Sequence, residues 1–445
     1  MFSKEKIFSI IDLVCNEAQG YDTRVIVQGS SEGLTRFANS EIHQNVHTTG
    51  LNVTIVVTEP NKRSEISTGL YTEEGLRAAV KEAISNLSFL PPGDAEPPLL
   101  PGPDKSVHIA LNRDLEQQFT VDKRALLIKE CLDTLEDKYK AYGALSYHNS
   151  VLAVGNSKGI RRLAAINGVN FSALIASGTG GSGYAALTSN RPQDLDIAGA
   201  FQRAYGKARL NQDAVAIEPG AYTVILEPMA VGDILTYLSY LGFSGKSVQN
   251  QISFLTGKLG EKVFGDNITI VDDCTNPNTL PLPFDFEGGK RQSVTIIENG
   301  IAKGLTYDLA SAANDGVETT GHSINAPSFG GMPLNLIMAA GDQSLEEIIA
   351  DTEKGLLVTR FHYINPVNPR AAQLTGLTRD GLFKIERGEI TGPVKNMRFT
   401  ENMLHALNKV EAISKERERT SFFFGNYYVP ALKIREFHFT GKTEA

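Results

Sequence analysis

The sequence predicts an α+β protein with an N-terminal helix-plus-antiparallel-sheet domain over residues 1–214 and a β-dominated C-terminal domain over residues 215–445. The chain is longer than one hydrophobic core usually fills, which favours two domains. Helix-like and strand-like stretches alternate through the first half, an order typical of helices that pack on an antiparallel sheet. The second half restarts with the buried-looking strand of AVAIEPGAYTVILEP and then shows mostly hairpin-like pairs.

The first helix and the first strands are predicted from periodicity and from turn residues. Apolar side chains recur at helical spacing over residues 4–19, which predicts an amphipathic helix. Residues 23–70 are rich in Val, Ile and Thr, and they predict an antiparallel meander with turns at GSSEG (29–33) and EPNK (59–62). Thr72 can accept a hydrogen bond from the first amides of a helix that reaches about residue 87.

The remaining elements follow from the same signals. The six prolines of residues 91–103 predict a surface excursion within the first domain. Strands are expected over residues 146–177, with turns at Asn156–Gly159 and Asn167–Gly168. Two more helices are expected near residues 121–138 and 192–210.

Hairpins dominate the prediction for the second half. Asn-Gly and Arg-Gly pairs supply the turns in SVTIIENGIAKGLTYD and LFKIERGEITGPV. A helix near Glu401–Ser414 is expected before a final strand.

Charge and cysteine usage limit the classes of partner. The formal net charge is -8, with 21% charged and 41% hydrophobic residues, so the overall field repels phosphate backbones and anionic lipid. Neither nucleic acid nor a membrane is therefore an expected partner. The three cysteines are widely separated and form no CxxC pair, which favours the reducing cytoplasm. No segment approaches the roughly 18 uninterrupted apolar residues of a membrane span.

The segment HQNVH has the spacing of a zinc-binding HExxH motif, with His43 and His47 four residues apart and Gln44 in the place of the glutamate. In that motif a helix holds positions i and i+4 about 6 Å apart, so that both imidazoles reach one ion. The surrounding Val, Thr and Ile favour a strand, on which these positions lie about 13 Å apart. We therefore predict ordinary strand histidines and no metal site here.

Two glycine-containing segments resemble nucleotide-binding motifs only in part. GTGGSG (178–183) satisfies G-x-G-x-x-G, but Pro192 precedes any helix that could hold a pyrophosphate, so a glycine-rich loop or bulged strand is predicted. GFSGKS (242–247) lacks the first glycine of a phosphate loop, since position 240 is Tyr240. The other histidines are scattered singly, so the residues alone indicate neither a catalytic set nor a metal site.

A resemblance to a known family extends the prediction. TRFANSEIHQNVHTTGLNVTIVV (35–57) resembles the N-terminal signature of the TldD/PmbA family, in which an Arg-Phe-Ala-Asn strand leads into an Ile-His-Gln turn. Four segments of the second half resemble successive blocks of that family in the same order: SFLTGKLGEKVFGDNITIVDD, PFDFEGGKRQSVTIIENGIAKGLTYD, PLNLIMAAGDQSLEEIIADTEKGLLVT and GLFKIERGEITGPV. The resemblance covers nearly the whole chain.

The resemblance implies a subunit without zinc. The family pairs a TldD-type subunit, which carries a zinc HExxxH motif on a helix, with a TldE/PmbA-type subunit that lacks it, and the pair degrades unstructured peptides and processes peptide precursors. The matching region here is VILEPMAVGDILTYLSYLGFSG, and the motif aligns near Thr236–Leu241, where TYLSYL offers no imidazole and no carboxylate. The C-terminal cysteine ligand of TldD-type chains is also missing from SFFFGNYYVPALKIREFHFTG.

The expected function is therefore that of a TldE/PmbA-type companion, structural and substrate-holding, whose only zinc lies in a TldD-type partner. Four polar residues of the signature strand and turn are candidate contacts to an unstructured peptide: Arg36, Asn39, His43 and Gln44. Two alternatives stay open: a stand-alone regulatory or binding protein, as the family's older label of DNA gyrase modulator suggests, and a peptidase with an unrecognised site. A homodimer is a further possibility for the chain alone.

Overall fold

The computed structural model describes residues 2–178, 180–279, 281–422 and 425–443. Its first half contains the helices and strands that the sequence predicts, in the predicted order, together with further short elements. The helices are Lys4–Glu17 (α1), Glu73–Leu87 (α2), Arg113–Gln118 (α3), Val121–Leu132 (α4) and Ile197–Leu210 (α5). The strands are Asp22–Ala38 (β1), Glu41–Glu59 (β2), Lys62–Thr68 (β3), Asp104–Ala110 (β4), Tyr139–Asn156 (β5), Ile160–Ser177 (β6) and Ser182–Ser189 (β7).

These strands form a single sheet in the described part of the first half. Its order is β3-β2-β1-β5-β6-β4, and β7 pairs with a second section of β6. All neighbours are antiparallel except β4, which runs parallel to β6. The long hairpins β1–β2 and β5–β6 give the sheet its length, since each strand continues for 17 to 19 residues.

Two apolar clusters hold the helices against this sheet. The first lies under α1 and α2, where Ile7, Ile11 and Val80 are fully buried against β1 and β2. Thr72 accepts a hydrogen bond from the Gly75 amide and so begins α2 as the sequence predicts. The second cluster lies under α4 and α5. Ile128 of α4 and the apolar side chains of α5 pack there on β5, β6 and β7.

The second half contains a larger sheet and a buried helix. Its helices are Pro228–Gly242 (α6), Gly245–Gln249 (α7), Leu309–Asp315 (α8), Leu345–Ala350 (α9) and Met403–Leu407 (α10). Its strands are Gly220–Leu226 (β8), Ile270–Asp272 (β9), Val294–Glu298 (β10), Ile301–Ala302 (β11), Leu336–Met338 (β12), Lys354–Asn368 (β13), Gln373–Glu386 (β14), Glu389–Pro393 (β15), Met397–Asn402 (β16), Val410–Phe422 (β17) and Gly425–Lys442 (β18).

Part of the second sheet closes on itself. In the described residues the strand order is β11-β10-β9-β12-β18-β16-β14-β13-β8, and β8 also pairs with β18. The strands β8, β13, β14, β16 and β18 therefore form a ring. Helix α6 and the main apolar cluster of this half are packed against it, with Leu235 and Leu238 almost completely buried.

The α+β class is confirmed, and most predicted elements lie where expected. Helix α1, the turn at residues 59–62 and both Gly-containing hairpin turns of the second half are present. The segment at residues 91–103 is irregular and mostly exposed, but it leads into β4, which the sequence analysis did not include. The division at residue 214 stays a prediction, although the first sheet ends at Ser189 and the second begins at Gly220.

Three local predictions are wrong, and one helix is shorter than predicted. GSSEG lies inside β1, where β2 and β5 pair with it on both sides, and Asn167–Gly168 lies inside β6, where β5 pairs with it. The helix expected over Glu401–Ser414 is only the short α10, and β17 already begins at Val410. Helix α4 also ends earlier than expected, at Leu132.

The three cysteine thiols are free and shielded. Cys131 and Cys274 are buried, and Cys15 is partly buried. Burial raises the pKa of the Cys15 and Cys131 thiols to about 11, and it raises the pKa of Cys274 as well.

No helix in the described residues is long and apolar enough to cross a membrane.

Candidate functional site

The main candidate site is a cavity of about 730 Å³ between the two sheets. One wall comes from β5, β6 and β7, and the opposite wall comes from α6, β13 and β17. Both halves of the chain therefore contribute to it. A cavity at such a junction, lined by both apolar and polar side chains, is a common place for a ligand site.

Helix α6 supplies the floor of the cavity. Pro228 occupies its first turn, where a missing amide costs nothing, and the preceding strand β8 fixes its position against β13. The helix is apolar nearly all round, which explains why it is buried. Its residues at the cavity are Met229, Asp233, Thr236, Tyr237 and Tyr240.

Asp233 is a partly buried carboxylate that faces this cavity. Its Oδ2 accepts a hydrogen bond of 2.8 Å from the Phe361 amide, whereas Oδ1 makes no hydrogen bond with the described part of the chain. Burial raises the pKa of Asp233 to about 7, and the Phe361 amide and the Arg360 charge only partly offset this rise. The cavity therefore contains a carboxyl group that changes charge near neutral pH.

Arg360 lies on the wall opposite the first sheet and is held in place from two sides. Its Nε donates to Asp380 Oδ2 at 2.7 Å, and its guanidinium lies 4.1 Å from the centre of the Tyr184 ring. Ser182 of the first sheet donates to Asp380 Oδ1 at 2.8 Å. The two sheets are thus joined by a polar contact directly beside the cavity.

The rest of the lining combines aromatic rings with one cation that is bound to neutral groups. Arg419 donates to the backbone oxygens of Asn278 and Pro277 and to the Ser189 and Asn190 side chains. Burial lowers the pKa of Arg419 to about 10. The aromatic groups at the cavity are Phe171, Tyr184, Tyr237, Tyr240, Phe329, Phe361 and Tyr363. Such a lining suits an extended ligand with apolar side chains.

Comparison with known proteins identifies the relationship. The model of the PmbA/TldA metallopeptidase C-terminal domain matches residues 219–441, half of the chain. The chain belongs to the PmbA/TldD family. An uncharacterized protein of Methanocaldococcus jannaschii is 33% identical over 219 residues, which are 45% of this chain and 52% of that protein. A metalloprotease TldD homolog of Haemophilus influenzae is 29% identical over 222 residues, 49% of this chain and 45% of that protein.

This member of the PmbA/TldD family spans about half the length of the curated relatives that it matches. Solved structures match over nearly the full chain. TldE from Thermococcus kodakarensis has a TM-score of 0.85 at 21% identity, over 98% of this chain and 100% of that chain. A Thermotoga maritima protein whose description names a modulator of a DNA gyrase has a TM-score of 0.82 at 22% identity, with the same coverage. At these identities the likeness establishes the fold.

The family name implies a catalytic metal, which would need ligands at the cavity. The aligned residues Thr236–Leu241 lie on α6 and bring hydroxyl, phenol and apolar groups, without imidazole or thiol. Asp233, one turn earlier, and His362 are the nearest candidate ligands at the cavity. No group of three His, Cys, Asp or Glu with converging donor atoms occurs at the cavity in the described residues. Zinc does not fit this site, because stable zinc sites need at least three such ligands.

The four residues predicted to contact peptide lie together, but outside the cavity. Arg36 and Gln44 pair across β1 and β2, and His43 is the extra residue of a bulge beside them. Asn39 occupies the turn with a φ of 52°, and its side chain accepts a hydrogen bond of 2.7 Å from the Tyr142 hydroxyl. Arg36, Asn39 and His43 are exposed. Their role as peptide contacts stays a prediction.

Three segments resemble metal-binding or nucleotide-binding motifs in part, and the structure shows which elements they form. His43 and His47 lie on β2, so the strand prediction for HQNVH is confirmed. The glycine-rich segment forms the connection between β6 and β7, and the next α-helix begins only at Ile197; Thr179 lies outside the described residues. GFSGKS begins at the end of α6. A phosphate loop would instead follow a strand.

Two chemical features of the structure were missed in the sequence. GSSEG also satisfies G-x-S-x-G, but Ser31 lies within β1 and not on the strand-to-helix turn of a nucleophile elbow. Its Oγ is 3.0 Å from His47 Nε2, and no carboxylate contacts that imidazole in the described residues. Asp233 was also missed, although a single carboxylate within the apolar stretch PMAVGDILTYL was a visible signal.

Proposed function

We propose that this chain is the TldE/PmbA-type subunit of a TldD/TldE-like metallopeptidase complex that degrades or processes unstructured peptides. The observation that carries the proposal is the composition of α6, which lines a large cavity in a metallopeptidase family fold but presents no zinc-binding set. In this proposal a TldD-type partner supplies the zinc and activates water. This chain shapes the complex and holds the substrate.

The cavity supports the substrate-holding role. Its volume is in the range of drug-sized ligand sites, so it holds a few residues of an extended peptide rather than a folded protein. The aromatic rings would bury apolar side chains of the peptide. Asp233 Oδ1 offers an acceptor for a backbone amide or a basic side chain of the peptide.

A free strand edge gives independent support. Strand β2 pairs with β1 along its whole length, but its other side pairs with β3 only over Val53–Glu59. The outer edge of residues 41–52 therefore has no strand partner in the described residues, over about 40 Å. An extended peptide can add to such an edge through backbone hydrogen bonds, which tolerate many sequences. His43 and Gln44 lie on this edge.

The decisive experiment mixes the purified chain with a TldD-type relative that carries HExxxH. We expect binding, and hydrolysis of an unstructured peptide well above that of either chain alone, with a stably folded protein left uncut. Hydrolysis by this chain alone at the rate of the mixture would favour a peptidase with its own site. If the chain neither binds nor stimulates the zinc-bearing relative, the companion proposal fails and a stand-alone binding protein becomes the better account.

A matched pair of variants separates subunit assembly from peptide holding. Ala144→Phe would place a ring in the cavity, whereas Ala78→Phe places the same ring on the exposed face of α2. We expect Ala144→Phe to bind the partner normally but to stimulate hydrolysis less, and Ala78→Phe to behave as the parent chain. Equal stimulation by both variants would show that the cavity does not hold the peptide.

A further inference from the structure

A second cluster of ligating side chains lies away from the cavity, where β16, α10 and β18 meet. Glu401 is near the end of β16, His405 is in α10, and His438 is in β18. One donor atom from each of these side chains lies within 4.8 Å of the other two. In the described residues this is the one such group of three.

The carboxylate of Glu401 is fixed in position by the backbone. Only 3% of its side chain is exposed, and its oxygens accept hydrogen bonds from the Asn402 and His438 amides, each at 2.8 Å. His438 Nδ1 lies 2.7 Å from Glu401 Oε2, and His405 Nδ1 lies 3.7 Å from Oε1. The carboxylate therefore stands between two imidazoles that share it.

Local backbone features orient both imidazoles. The Asn402 side chain accepts a hydrogen bond from the His405 amide and so begins α10 at the correct point. Strand β18 has an irregularity between Ile434 and Phe437, and Glu436 within it has a φ of 59°. A non-glycine residue in this left-handed region is uncommon, and bulges often re-aim a side chain at a site. Here the bulge immediately precedes His438.

We propose that Glu401, His405 and His438 bind one divalent transition-metal ion of the zinc class. Two imidazoles and one carboxylate form a donor set that zinc and its neighbours prefer, whereas Ca²⁺ and Mg²⁺ prefer oxygen ligands alone. The imidazole side chains are 40% and 45% exposed, so the remaining coordination positions face solvent and take water. Binding replaces the His438–Glu401 hydrogen bond with two bonds to the metal.

This site is distinct from the zinc position of the family, since none of its residues lies on α6 or lines the cavity. A metal ion at this site departs from the expectation that this chain binds no metal of its own. That expectation considered pairs of histidines and the segment aligned with HExxxH, but not a carboxylate with one histidine at i+4 and another on a distant strand. The proposal goes beyond the companion function and does not depend on it.

The test is a titration of the chelator-treated full chain with Zn²⁺, and with Co²⁺ as a spectroscopic probe. We expect one saturable site, visible Co²⁺ absorption bands, and weaker binding as the pH falls, because protons compete for the imidazoles. His405→Ala and His438→Ala should each weaken binding by at least about tenfold, which is about 1.4 kcal/mol. These side chains are substantially exposed, so both variants should fold, as far-UV circular dichroism can verify.

The control is His43→Ala combined with His47→Ala, which removes two exposed strand histidines and should leave the affinity for Zn²⁺ unchanged. Glu401→Gln provides a third ligand variant that preserves side-chain shape. The absence of a one-equivalent site in the parent chain would overturn the proposal, and so would equal affinity in the parent and both single-histidine variants. Since the titration uses this chain alone, its failure leaves the proposed companion function untouched.

Discussion

Asp233 shows how a single side chain determines the character of the cavity. It is the carboxyl group that α6 presents to the cavity, and burial rather than a neighbouring anion raises its pKa to about 7. In the unfolded chain an aspartate titrates near 4. The folded protein therefore binds a proton at Asp233 more tightly than the unfolded chain does, and ionisation of this group opposes folding.

The first stability prediction follows from the direction of this shift. The contribution of neutral Asp233 is fully present below about pH 4 and is lost as the pH rises through about 7. Asp233→Asn keeps the shape and can still accept the Phe361 hydrogen bond, but it cannot ionise. We expect the variant to gain stability relative to the parent chain as the pH rises from 4 to 8.

Chemical denaturation at pH 5 and pH 8 checks this, with circular dichroism as the probe because the sequence contains no tryptophan. Comparing the variant with the parent at each pH cancels other groups that titrate in the same range, such as Glu287, whose pKa burial raises to about 8. If the difference in unfolding free energy between the Asp233→Asn variant and the parent chain is the same at both pH values, Asp233 titrates as an ordinary aspartate.

The sequence showed which residue types are present at each position, but it did not show which distant residues contact one another. The absence of an imidazole in Thr236–Leu241 was predictable from letters alone. The pairing of Arg360 with Asp380 and Tyr184 was not, because it joins strands of two different sheets. The contact between Glu401 and His438 was also not predictable, because it depends on the pairing of β16 with β18 and on a bulge in β18.

At the scale of elements, the contact between β7 and α5 is unusually close. A Cβ on Gly183 would lie 2.2 Å from the Ala204 carbonyl oxygen and 2.4 Å from the Ala208 nitrogen, both backbone atoms. Packing against α5 therefore explains the glycine at position 183, without a nucleotide. Gly206 on α5 offers a contrast, because a Cβ there meets nothing within 4 Å.

Two alanine substitutions on these facing elements should have opposite effects. Gly183→Ala forces the strand and helix apart and should lower the unfolding free energy by about 1–3 kcal/mol. Gly206→Ala removes a flexible residue from a helix interior and should raise it by about 0.5–1 kcal/mol. Denaturation midpoints of both variants against the parent chain test the pair; a neutral Gly183→Ala would show that the close contact is not maintained in solution.

Local signals predicted elements well where turns were tight and helices were capped. They failed where tertiary pairing dominated. GSSEG and Asn167–Gly168 carry turn residues, yet pairing with neighbouring strands keeps them extended, with β2 and β5 on both sides of GSSEG and with β5 beside Asn167–Gly168. The buried apolar residues of 401–414 lie on the short α10 and on the start of β17, and not on one continuous helix.

At the scale of the whole molecule, a few polar side chains join the two sheets. Arg419 of β17 is the most connected, because it donates to the Ser189 and Asn190 side chains of the first half and to two carbonyls of the second. Arg24 contributes at another point, with Glu287 at 3.5 Å and Asn325 at 3.1 Å. Arg419 lies on β17, which pairs with β18 of the ring, and the ring closes through the β8–β18 pairing, which is distant in sequence, so periodicity could not reveal it.

Arg419→Met should loosen the junction that forms the cavity. The substitution leaves several polar acceptors without their donor, and we expect a loss of about 2–3 kcal/mol in unfolding free energy. Arg209→Met, at an exposed position on α5, is the control and should change little. Hydrogen exchange should also quicken around residues 186–190 in the first variant. Unchanged exchange there would show that other contacts suffice to hold the sheets together.

The shielded thiols have a practical consequence for studying how the molecule opens. Only the thiolate reacts readily with alkylating reagents, and burial disfavours that form at all three cysteines. Cys15 and Cys131 lie in the first half and Cys274 in the second. Timed alkylation followed by peptide mass analysis therefore reports which half exposes its interior first, and it needs no change to the sequence.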